Sequence, residues 1–163
     1  MASYKQLQST YPYFCQRGPS SDTSISINNI STSSTFWNDG TNLERGSASV
    51  TTNTENGLVF TAPVKGLYYF EIILNCISAS FSDDSWTWGI TITRASTLTN
   101  SDRYIIDNPS NIATIATEYK PQFSTNVYLN ANDTVKMYGT QFTNQQAYLA
   151  NRCFFMGYLV AGF

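Results

Sequence analysis

The sequence predicts an all-β protein, a sandwich or a barrel. Runs of strand character recur at spacings of about 8 to 15 residues, separated by clusters of Gly, Pro, Asn and Asp. No segment carries a convincing amphipathic-helix pattern. With 11 Tyr, 10 Phe and only 12% charged residues, the composition is that of strands under a weakly charged surface.

Length and charge bound the rest. At 163 residues the chain is expected to be one domain, 1–163, with a polar N-terminal arm over 1–10. A hydrophobic content of 42% indicates a globular chain with a proper core. The net charge of −2 comes without a basic cluster, so nothing points to nucleic acid. No apolar run approaches the roughly 18 to 20 residues that span a bilayer, so no membrane insertion is expected. Residues 1–14 lack the apolar core of a secretory signal.

Taken in order, Tyr11 to Gln16 is the first expected strand, stopped by Arg17-Gly18-Pro19. Ser20 to Thr35 is rich in Ser, Thr and Asn, with weak strand character from Ile25, Ile27 and Ile30. Phe36-Trp37 followed by Asn38-Asp39-Gly40 reads as an apolar contact and a turn. Gly46 to Thr54 alternates small and β-branched residues, as an exposed strand does.

The central stretch runs from Gly57 to Cys76 and reads as two paired strands around a turn. Pro63 cannot donate to a ladder and Gly66 tolerates unusual dihedrals, which makes Ala62 to Gly66 the turn. In the strand that follows, one alternate set is Tyr68, Phe70, Ile72, Leu74 and Cys76. The other is Leu67, Tyr69, Glu71, Ile73 and Asn75. A strand with one wet face alternates apolar and polar residues. Here both sets are largely apolar, so both faces are expected to be covered, one by the core and one by a partner subunit. A buried helix is the alternative; Tyr, Phe and Ile enrichment between Pro and Gly argues against it. The alternation leaves open which set faces the core.

Ser78 to Ser85 is a loop, and Trp86 to Arg94 reads as a strand with Ile90 and Ile92 on an apolar face and Thr91 on a wet one. Asp102 to Asp107 is a short strand, broken by Asn108 to Asn111. Ile112 to Tyr119 fits a strand or one helical turn. Gln122 to Leu129 and Thr134 to Phe142 are strands around Asn130-Ala131-Asn132-Asp133, where Asn and Asp tolerate left-handed geometry. Asn151 to Phe163 is the last strand, apolar on both faces like the central one.

Three of these stretches resemble a known family. Thr61 to Phe70, with its Pro-containing turn, Gly and alternating aromatics, is similar to the signature of the complement C1q globular head and its tumour-necrosis-factor relatives. Leu129 to Met137 resembles that family's leucine, tight turn, aspartate and valine, and Cys153 to Val160 resembles its closing strand. The resemblance selects a jelly-roll sandwich of two antiparallel sheets with about 8 to 10 strands. It also implies three copies around an axis, with the first, central and last strands facing it. Trimer interface or core is therefore the expected place of Tyr68, Tyr69, Phe70, Ile72, Phe154, Phe155 and Tyr158.

Little in the sequence offers chemistry. With no His, histidine-based triads and histidine metal sites are absent, so neither an enzyme nor a cofactor is expected. Asp83-Asp84 is the only adjacent acidic pair and a weak Ca²⁺ candidate; a solvated loop is the preferred reading. Cys15, Cys76 and Cys153 are widely spaced and read as three buried thiols, with one bridge as the lesser alternative. Glu71, on a face expected to be covered, needs a cation from its own chain or a neighbour, or a place at the rim. Two glycosylation sequons, at Asn29 and Asn132, are read as chance matches.

The function expected from this is non-enzymatic and homotrimeric. The first expectation is a structural protein on a virus or phage particle, a head-decoration protein or fibre tip, located on the virion among its other proteins. The second is a soluble module that binds a host-surface receptor or glycan.

Overall fold

Period-two alternation organises the fold, because successive strand side chains point to opposite faces. The computed structural model describes residues 12–17, 23–26, 42–45, 49–53, 57–74, 76–77, 86–97, 101–107, 122–141, 146–149 and 153–162. The expected arm over 1–10, Phe36-Trp37, Asp83-Asp84 and Ile112 to Tyr119 lie outside these residues.

Thirteen strands fall among the described residues, and no helix does. In chain order they are β1 (Tyr13–Arg17), β2 (Thr23–Ser26), β3 (Asn42–Arg45), β4 (Ser49–Asn53), β5 (Gly57–Thr61), β6 (Gly66–Ile73) and β7 (Cys76–Ile77), then β8 (Trp86–Thr93), β9 (Ser101–Asp107), β10 (Gln122–Leu129), β11 (Thr134–Gln141), β12 (Gln146–Leu149) and β13 (Phe154–Gly162). Two five-stranded antiparallel sheets hold ten of them, in the orders β10-β6-β13-β1-β3 and β4-β5-β11-β8-β9. The other three form a small sheet, β2-β12-β7, absent from the expected architecture. Its strands have two to four residues, too few to show a period.

The central stretch corrects one expectation. β5 and β6 are not paired with each other but lie in different sheets, so the segment between them is a corner and not a hairpin turn. The same holds for β10 and β11. The two corners are stapled together: the Ala62 amide donates to the Asp133 carbonyl at 2.9 Å, and the Asn132 amide donates to the Ala62 carbonyl at 2.8 Å. Asn132 takes the left-handed backbone that its residue type tolerates, with φ 68°. Asp133, 1% exposed, holds the staple from inside. Its carboxylate accepts the Asn130 and Ala95 amides and the Arg94 guanidinium, each at 2.9 Å. Burial pushes this carboxyl up, and the two amides and Arg94 more than reverse it, leaving it below its ordinary value.

An aromatic cluster joins the sheets. Phe60 enters from β5 and stacks on Phe14 of β1, with centroids 4.9 Å apart. It meets Tyr68 and Phe70 of β6 edge-on, each at 5.6 Å. Phe155 of β13 closes on Phe14 at 5.1 Å. Gly157 is required here, since a Cβ would stand 2.6 Å from the Phe70 ring and 2.8 Å from Phe14. In the second sheet Ile90, Ile92, Val135 and Met137 face the core as the alternation predicts. Thr91, expected on a wet face, is 6% exposed. It sits in an interior strand, where a small side chain is sheltered by its neighbours on β11 and β9.

Candidate subunit interface

The first sheet has one face on the core and one face turned outward. Burial alternates along β6, where Tyr68, Phe70 and Ile72 are fully buried and Leu67, Tyr69, Glu71 and Ile73 are half-buried. On β13, Phe155 and Leu159 point inward, while Phe154, Met156 and Tyr158 point out. Phe14 and Gln16 of β1 are buried and Tyr13 and Cys15 turn outward.

Strand register arranges the outward set in rows. Tyr13, Tyr158, Tyr69 and Asn126 stand opposite one another across β1, β13, β6 and β10. Tyr69 and Tyr158 meet with centroids 5.1 Å apart. The next row holds Cys15, Met156, Glu71 and Ser124, and the one beyond it Phe154, Ile73 and Gln122. In the opposite direction Leu67 stands between Tyr128 and Ala161. Val160 is the extra residue of a bulge between Leu159 and Ala161 and is 47% exposed. Tyr158 and Tyr128 are 40% and 42% exposed, unusual for rings on a sheet dominated by apolar residues. Lys65 from the corner rests over the Tyr128 ring, 5.7 Å from its centroid.

The named residues divide between the two faces. Tyr68, Phe70, Ile72 and Phe155 are core, all without exposed surface. Tyr69, Phe154 and Tyr158 are on the outward face. Tyr68 is fixed by more than packing: its hydroxyl donates to the Val64 carbonyl at 2.7 Å and so holds the corner. Burial raises its phenol above the ordinary value, which keeps it protonated as a donor. Tyr13, Met156, Tyr128 and Val160 extend the face and were not anticipated as a group. The parity of β1 and β13 carries that signal, but only the register brings them together.

One thiol expectation changes. Neither Cys15 nor Cys153 is in a disulfide, and of the two only Cys153 is buried; the Cys76 side chain lies outside the described ones. Cys15 is half-buried because its position on β1 turns it outward. Glu71 finds a polar partner within its own chain in Gln122, whose side-chain amide donates to the carboxylate. Among the described residues no group of three His, Cys, Asp or Glu converges.

What this arrangement can do is associate. Each large apolar side chain taken fully out of water contributes about 2 kcal/mol. Contiguous exposed aromatics of this kind mark interaction surfaces.

The strand orders and the two-faced sheet define a C1q/TNF-like jelly roll. The fold is similar to that of Eiger TNF from S. frugiperda, with a TM-score of 0.65 and 12% identity over 94% of this chain and 95% of that one. It is also similar to the globular domain of zebrafish complement 1qA, at TM-score 0.61 and 14% identity over 93% and 99% of the two chains. Murine APRIL aligns at TM-score 0.57 and 11% identity over 92% and 99%. Neither a protein-family model nor a curated protein sequence matches this chain.

Proposed function

We propose that this chain is a non-enzymatic C1q/TNF-like module that assembles as a homotrimer through the outward face of its first sheet and binds a receptor or glycan with the surface that remains. One observation carries the reading: Tyr13, Tyr69, Tyr158, Phe154 and Met156 converge on the side of the sheet away from the core. A two-sheet sandwich covers one face of each sheet, and water is a poor cover for this one. The resemblance of the first, central and last strands to the C1q and tumour-necrosis-factor pattern favours three copies around an axis.

Between the two roles expected from sequence, the fold likeness favours the binding module. The similar structures named above are a TNF, a complement globular domain and APRIL. The particle role keeps only composition as its support. Native mass spectrometry of the purified protein tests the assembly. Three copies per particle are expected, and a population of single chains at micromolar concentration would overturn it.

A further inference from the structure

Glu71 is the only acidic side chain among the described ones on the outward face of the first sheet; Lys65 stands over Tyr128 at one end of that face, and register puts Arg17 beside Phe154 and Arg45 beside Tyr13. It lies on the interior strand β6, with Ser124, Met156 and Cys15 in its row. Its described partner is the Gln122 amide. A carboxylate offers about four acceptor positions, so one amide donor leaves most of them to water. Covering the face removes that water. A carboxylate stripped of water without a cation is strongly unfavourable, whereas one paired with a hydrogen-bonded cation is tolerated.

We propose that Glu71 is the charged anchor of the contact between copies: it takes a lysine or arginine from the neighbouring copy, and the pair fixes the register of assembly. The inference rests on the assembly reading above. The same charge disfavours the two other covers for an apolar face, a lipid surface and a nucleic acid.

Sedimentation equilibrium of the full chain, for the unmodified protein and for Glu71→Gln and Glu71→Lys, tests the proposal. Glu71 is half-buried, so both variants are expected to keep the wild-type far-ultraviolet spectrum and melting. Glu71→Gln keeps the shape and removes the charge. It should raise the concentration at half-dissociation at least tenfold, and Glu71→Lys should raise it further. Assembly by Glu71→Gln as tight as wild type, or tighter, would overturn the anchor while leaving the trimer standing. Dissociation of the unmodified protein by EDTA would assign the cation to a metal ion and overturn the side-chain pair. An unmodified protein that sediments as a single chain would overturn the assembly reading and this inference with it.

Discussion

Tyr68 and Tyr69 are adjacent in sequence and opposite in consequence, so one substitution made at both sites separates folding from assembly. Tyr68 has no exposed surface, packs 5.6 Å from Phe60 and 6.3 Å from Phe70, and donates its hydroxyl to Val64. Removing a buried aromatic ring costs about 3 to 5 kcal/mol. Tyr68→Asp adds an uncompensated buried carboxylate worth several more. Against a total stability of about 5 to 15 kcal/mol, the chain should unfold. Tyr69 is half-buried, and within the chain it loses mainly the ring contact with Tyr158 at 5.1 Å. That contact is worth about 0.5 to 1.5 kcal/mol, so Tyr69→Asp should fold with a melting point lower by a few degrees. At a covered interface an aromatic anchor is worth about 2 kcal/mol or more, and a closed ring of three loses it three times. The sum, about 6 kcal/mol, corresponds to roughly four decades in the overall dissociation constant. Light scattering and thermal melts on both variants give the answer. A folded single chain is expected for Tyr69→Asp and an unfolded one for Tyr68→Asp. A Tyr69→Asp protein that stays trimeric with wild-type stability would refute the assignment of faces.

Three further outcomes follow from the same geometry. Gly157→Ala sets a methyl group 2.6 to 2.8 Å from the Phe70 and Phe14 rings, and overpacking of this kind costs about 1 to 3 kcal/mol. An unchanged melting temperature would contradict that packing. Asp133→Asn weakens the corner staple by about 3 kcal/mol at neutral pH, since Arg94 loses its buried partner. Because the folded carboxyl lies below its ordinary 3.8, its contribution is complete above that pH and fades as acid protonates it below. The deficit of the variant in denaturant titrations should therefore shrink below about pH 4, and a deficit constant down to pH 2 would exclude the ion pair as its source. Cys15 should resist alkylation in the assembled protein and react in Tyr69→Asp, whereas Cys153 should react in neither without denaturant. Peptide mapping after iodoacetamide reads both, and a Cys15 equally reactive in both proteins would mean that the face is uncovered.

The sequence showed that β6 and β13 are apolar on both faces, because alternation is local and needs no partner strand. It also placed the Pro63 and Asn130 to Asp133 turns, whose residue types set their dihedrals. It did not show that both turns are corners between sheets, since two adjacent strands look alike whether they pair or part. Nor could it choose between Tyr68 and Tyr69, two identical side chains one residue apart. That choice is made by Phe60, which arrives from the second sheet. The Arg94 to Asp133 pair spans 39 residues and joins a strand end to a corner, a contact that no local pattern announces. The aromatic row of Tyr13, Tyr158 and Tyr69 likewise exists only through the register of three strands far apart in the chain.

An electron-microscopy or crystal structure of the assembled protein tests the central claim most directly. Three copies of the 18.2 kDa chain should surround an axis, with Tyr69, Tyr158 and Phe154 of each within about 4.5 Å of a neighbouring copy. An assembly that leaves these three rings in solvent, or that joins its copies through the β4-β5-β11-β8-β9 sheet, would contradict it.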